Sequence, residues 1–216
     1  MNEEEHGEIL LLSGYPFYIQ GPPQDVLAHV TAQVKANLIE ACAAAAKDGD
    51  EKPIVVVAVD RFGSSAIPGM PGTPVCDVLA QISPWPLSDL AKRRLAKAGF
   101  DCQGISEHHA DGGKDEWFFC GAGTPGHLGR AILHTVPAGH AFVWHMQAFV
   151  DYVKSHPDAY KRYADAKVKA ARNVLLSKET EGRLSAYKVE KNVVCKQVKQ
   201  EAIAWWEATH EEMCNE

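Results

Sequence analysis

The residues with the most chemical content lie between Phe62 and Leu79, which read Phe-Gly-Ser-Ser-Ala-Ile-Pro-Gly-Met-Pro-Gly-Thr-Pro-Val-Cys-Asp-Val-Leu. Gly63, Ser64 and Ser65 suit an anion. A glycine lets a phosphate approach the backbone, and the serines after it offer hydroxyl and N–H groups to the same oxygens. Asp77 stands in an apolar stretch where a carboxylate is costly, and from a neighbouring strand it could hold a Mg²⁺ that bridges those phosphates. Each group also has a plainer use, Gly63 to Ser65 as a turn that caps a helix and Asp77 as a buried hydrogen-bonded acid.

Other constellations carry less. Glu107, His108, His109 and Asp111 lack zinc-motif spacing and read as a solvated loop. Gly121 to Gly126 matches G-x-G-x-x-G, but Pro125 and the lack of a following helix argue for a loop. Gly63 to Ile67 fails the nucleophile-elbow pattern because Ile67 is not glycine.

The elements that must position the Phe62–Leu79 stretch follow from pattern. Ile54 to Val59 is a β-branched run read as a buried strand, and the prolines and glycines from Pro68 to Pro74 impose a compact turn. Val75 to Ile82 reads as a second strand. Upstream, Ile9 to Ile19 is an irregular or strand-like packed segment. A helix follows Gly21-Pro22-Pro23 with Val26, Val30, Val34, Leu38 and Cys42 on one face, decaying over Ala43 to Lys47 before a loop at Asp48-Gly49-Asp50. Downstream, a helix with Leu87, Leu90, Ala91 and Leu95 on one side and Lys92, Arg93 and Arg94 exposed on the other stops at Gly99. Phe100 to Ile105, Glu116 to Cys120 and Arg130 to Pro137 read as strands, the first two joined by a polar loop. From Gly139 the pattern is helical, with a new helix at Pro157 and a last one placing Val189, Val193, Val194, Val198, Ala202, Trp205 and Trp206 on one flank.

Several of these segments, in order, resemble the GrpB family. They are Gly63-Ser64-Ser65-Ala66-Ile67-Pro68-Gly69, Pro74-Val75-Cys76-Asp77-Val78, Leu133-His134-Thr135-Val136, Phe149 to Pro157, Tyr163 to Lys167, and Tyr187 with Lys191. The resemblance spans roughly residues 15 to 206 and implies an α/β fold: a nucleotidyltransferase-like mixed β-sheet flanked by helices, with a helical C-terminal part. It is read as one domain over 1–216, with an α/β core over about 9–137 and a helical subdomain over 138–210. It implies a Mg²⁺-dependent nucleotidyltransferase with a nucleoside triphosphate as cofactor. Gly63, Ser64, Ser65 and Arg130 would hold phosphate. Asp77 and His134 would be the catalytic residues and metal ligands, His134 lying on the strand expected beside Asp77. The chain departs from the family at Thr73, Phe62, Val150 and Ile132, where lysine, histidine, arginine and histidine are usual. Leu79 stands where an Asp-x-Asp pair would place a second acid. Those departures fit an alternative, a protein that binds a nucleotide or phosphorylated ligand without turnover. A structural or interaction module is the third reading.

Bulk properties set the limits. A formal charge of −6 argues against a general nucleic-acid surface. No apolar run approaches the ~20 residues that span a bilayer. Six cysteines without a C-x-x-C pair and no signal peptide point to reduced thiols in the cytosol. The expected partner is a small-molecule or nucleotide ligand, with no membrane, and the sequence leaves oligomeric state open.

Overall fold

The computed structural model describes residues 8–12, 15–47, 52–106, 114–121, 129–176 and 183–210. Their elements are β1 (Ile9–Leu12), β2 (Tyr15–Tyr18), α1 (Gln24–Lys47), β3 (Val55–Arg61), a 3₁₀ turn (Gly63–Ala66), β4 (Val75–Ser83), α2 (Asp89–Lys97), β5 (Phe100–Ser106), β6 (Asp115–Cys120), β7 (Arg130–Pro137), α3 (Ala141–Ser155), α4 (Pro157–Leu176) and α5 (Arg183–His210). They form two compact units that interleave along the chain. A sheet unit takes Gln24–Phe62 and Val75–Trp144, and a helical unit takes Met1–Pro23, Gly63–Pro74 and His145–Glu216.

The sheet unit is built on a mixed five-stranded sheet in the order β3-β4-β7-β6-β5. β4 and β7 run parallel, and the other pairs are antiparallel. One face carries Cys76, Val78, Ala80 and Ile82 of β4, Ala131 and Leu133 of β7, and Phe118 and Cys120 of β6, all fully buried. Helices α1 and α2 cover it. Burying each Leu, Val, Ile or Phe there contributes about 1.5–3 kcal/mol.

In α1 the buried seam is Leu27, Val30, Val34, Leu38, Ala41, Cys42 and Ala45. Val30, Val34, Leu38 and Cys42 lie on it as expected, and only at the N-terminal end does Leu27 take the packed position while Val26 is exposed. The helix continues through Ala43–Lys47, where alanine's low helical cost keeps it wound and Lys47 meets the negative end of the dipole. Ser88 caps α2, its hydroxyl oxygen accepting from the Ala91 N–H at 3.2 Å, and Gly99 stops it at φ 86°.

Two expectations are corrected here. β3 is an edge strand with Val55 and Val57 more than half exposed, not a buried strand. A β-branched run reports extended backbone, and only the sheet order decides how many of its faces are covered. Lys92 is not simply exposed: its Nζ lies 2.7 Å from Glu116, a carboxylate 2% exposed that also accepts the Leu87 N–H at 3.2 Å.

In the helical unit β1 and β2 form an antiparallel hairpin. Leu12 and Phe17 pack with Ala170, Ala171 and Val174 of α4 and Tyr187 of α5. The Gly63–Pro74 segment is tied to β2, with the Tyr18 N–H donating to the Gly72 carbonyl at 2.8 Å and the Gly72 N–H returning a bond at 3.0 Å. Gly21, at φ 80°, must be glycine because a Cβ would come within 2.7 Å of the Gly69 carbonyl carbon. Along α5 the expected flank divides. Val198 and Ala202 are buried, whereas Val189 and Val193 point outward, because the buried seam follows Tyr187, Val198 and Ala202. Trp205 and Trp206 are half-buried rather than core anchors and share a ring cluster with Tyr152, His156 and His210. No helix among the described residues is long and apolar enough to cross a membrane.

Candidate functional site

The sheet face opposite α1 and α2 carries a group of acids with a histidine and an arginine. Residues alternate between faces along a strand, and residues paired across strands share a face. Asp60 of β3 is opposite Leu79 of β4, Leu79 is opposite His134 of β7, and His134 is opposite Trp117 of β6. One step along, Asp77 is opposite Ile132 and Val75 opposite Arg130. Asp60, Asp77, Arg130 and His134 therefore share one face, together with Asp115, two residues before Trp117. Strand spacing and rise place Asp77 and His134 about 8 Å apart at Cβ.

Asp77 is half-buried, so the expected burial of this acid in an apolar strand is corrected. Its apolar neighbours Cys76 and Val78 point to the helix-covered face, and alternation turns Asp77 away from them. Its backbone carbonyl accepts the Phe62 N–H at 3.0 Å. Beneath it, Cys76 lies 3.2 Å from the Thr31 hydroxyl, and burial raises its thiol pKa to about 11.

His134 is held by a residue the sequence reading placed in a loop. Asp115 opens β6, is 1% exposed, and its carboxylate pairs with His134 Nδ1. A carboxylate only accepts, so the neutral imidazole donates from Nδ1 and keeps a lone pair on Nε2. The Phe62 ring stands edge-on to His134 at 5.1 Å and to Phe142 at 5.9 Å, walling the imidazole with apolar surface. Arg61, opposite Val78, belongs to the helix-covered face, and its Nη1 is buried with no hydrogen-bond partner among the described residues.

Gly63, Ser64 and Ser65 belong to the helical unit. Gly63 has φ 61° and opens the 3₁₀ turn, and the Ile67 N–H donates back to the Ser64 carbonyl at 3.3 Å. Ser64 is hydrogen-bonded to the hydroxyl of Tyr163, whose pKa is pushed well up by burial beside Cys195. Ser65 is 6% exposed. Lys167, also buried, sits over the Tyr163 ring at 5.3 Å, and a Cβ at Gly72 would lie 3.1 Å from its Nζ.

The structure thus brings Asp77, Arg130 and His134 to one face and adds Asp60 and Asp115, which the sequence reading missed. Asp60 was legible in principle, since a single acid inside a β-branched run marks a face; Asp115 is distinguished only by tertiary burial. Asp77 and Asp60 offer the hard oxygens that Mg²⁺ takes, one or two protein carboxylates being usual alongside phosphate and water. His134 fits that ion poorly, because its Nδ1 is engaged and imidazole suits softer metals. Among the described residues no three His, Cys, Asp or Glu side chains group closely enough to hold a metal by themselves. The Glu107–Asp111 acids and histidines and most of the Gly121–Gly126 loop lie outside the described residues.

Residues 23–201 match the family model described as GrpB protein. The chain belongs to the GrpB family. It is similar in structure to the conserved protein GrpB from Enterococcus faecalis, at 20% sequence identity and a TM-score of 0.55, over 81% of this chain and 94% of that one. That likeness shows the fold, the mixed sheet with flanking helices and helical C-terminal part. Looser overlaps exist with the Cid1 poly(U) polymerase (12% identity, TM-score 0.33, 63% of this chain and 42% of that one) and a cytoplasmic RNA terminal U-transferase (12%, 0.32, 66% and 45%). At those scores they carry no inference. No curated protein sequence matches the chain.

Proposed function

We propose that this family member transfers a nucleotidyl group from a nucleoside triphosphate to a hydroxyl acceptor with release of pyrophosphate, and that the face bearing Asp77 and His134 is its reaction surface. The observation that carries this reading is the Asp115–His134 pair, a buried carboxylate orienting a half-exposed imidazole on the face it shares with Asp77. His134 Nε2 takes the acceptor hydroxyl's proton, and the Asp115 carboxylate stabilises the imidazolium that results. Arg130 offsets phosphate charge on the same face. A Mg²⁺ held by Asp77, with Asp60 as second oxygen donor, would neutralise the phosphates of a bound nucleoside triphosphate. A phosphate-gripping role for Gly63, Ser64 and Ser65 rests on the family resemblance alone.

A second reading, ligand binding without turnover, is favoured by Thr73, Val150 and Ile132, which stand where lysine, arginine and histidine are usual in the family. Pyrophosphate release and nucleotide-induced thermal shifts, measured with each nucleoside triphosphate with and without Mg²⁺, separate the two. Transfer predicts release that falls by about 10²–10⁴-fold in His134→Gln. A Mg²⁺-dependent shift without release would establish binding alone. No shift and no release would sink both and leave an interaction module.

A further inference from the structure

Within the helical unit, α4 forms one wall of an open cavity of about 710 Å³, a size typical of small-molecule sites. Its floor repeats every four residues along the helix, Tyr160, Ala164, Val168 and Arg172, with Lys169 beside them. Ile19 and Pro71 add apolar lining from outside the helix, and Leu176, 84% exposed, closes the lining at the C-terminal end of α4. Gly69 lets the turn close on this helix, since a Cβ there would lie 3.1 Å from the Tyr160 hydroxyl.

The polar groups of this cavity are unevenly satisfied. Asp165, the one acid in its lining, pairs with Lys161 at 2.5 Å, but both side chains are more than half exposed and the pair is weak, and Asn173 donates to Glu190 at 2.6 Å. Arg172 pairs with Glu8 at 3.2 Å, but both side chains are more than half exposed, and such a pair holds weakly. Lys169 has no ion pair, and the Tyr160 hydroxyl no hydrogen bond, among the described residues. Burial raises the Tyr160 pKa, so its hydroxyl stays protonated as a donor. The lining therefore sets two cations, Lys169 and Arg172, and one hydroxyl donor against a single carboxylate whose charge Lys161 balances, beside apolar side chains.

We propose that this cavity binds a small organic anion, a carboxylate or phosphate monoester on an apolar body, with Lys169, Arg172 and Tyr160 on the anionic group and Ile19, Val168 and Leu176 on the body. The lining belongs entirely to the helical unit, and the proposal does not rest on any transfer reaction at the Asp77–His134 face.

Titration calorimetry of the full chain with 1-naphthyl phosphate, 1-naphthoate and neutral 1-naphthol tests this. One or both anions bind saturably at a single site, naphthol at least tenfold more weakly. Lys169→Glu weakens the anion at least tenfold, and Leu176→Ser at least threefold, with thermal melts unchanged because both side chains are exposed. His134→Ala leaves the affinity as it was. Whichever anion binds more tightly identifies the headgroup. The proposal is overturned by lack of saturation below 1 mM for both anions, by equal affinity for naphthol, by an unaltered Lys169→Glu, or by loss of binding in His134→Ala.

Discussion

The two faces of the five-stranded sheet obey one alternation and are put to opposite uses. Toward α1 and α2, β4 sets out Cys76, Val78, Ala80 and Ile82, all fully buried. Away from those helices, the same strands present Asp60, Asp77, Arg130 and His134, which are half-buried or exposed. Residues one step apart on a strand therefore differ completely in what substitution costs. Folding free energy is concentrated on one face, which leaves the other free to carry charge.

The sharpest way to break that contrast is to put charge on the wrong face. Leu133→Asp should cost about 4 kcal/mol or more, because a buried carboxylate there has no partner, and urea denaturation should show little folded protein. Next is Glu116→Ala, which strips Lys92 of its counter-ion and the Leu87 N–H of its acceptor. About 2–3 kcal/mol is expected, below the usual cost of a broken buried pair because Lys92 is 26% exposed. Asp115→Ala should cost about 1–2 kcal/mol by freeing His134 Nδ1, and should lower any transfer activity as much as His134→Gln does. If Asp115→Ala lowered stability alone, the pair would be structural and the proposed proton acceptor would fall.

Alkaline pH probes the apolar face without mutation. Cys42 and Cys76 have thiols raised from 9.0 to about 11 by burial. The unfolded chain releases those protons first, so stability is fully present below pH 9 and declines as pH rises toward 11. A flat urea midpoint across that window would contradict the burial. The smallest effect is expected of Asp77→Ala, within about 1 kcal/mol of wild type, with Mg²⁺-dependent nucleotide shifts abolished. A large destabilisation would make Asp77 part of the fold rather than of the chemistry.

Much of this architecture was legible in the chain. The strand Arg130–Pro137, the helix start at Pro157 and the stop at Gly99 are local events, written by β-branched runs, a fixed φ and a left-handed glycine. Asp77, Arg130 and His134 were named as candidates with the help of the resemblance to the GrpB family, and the strand register puts them on one face. Partnership and burial were not legible. The β-branched run of β3 could not report that it lies at the sheet edge, and nothing around Asp115 distinguishes it from the polar loop before it. That Asp77 faces away from the core, that Asp115 holds His134, and that Ser64 is bonded to Tyr163 depend on strand order, register and packing between residues far apart in sequence. Local sequence specifies backbone preference, whereas which face is covered and which side chains meet is decided only when the long-range contacts close.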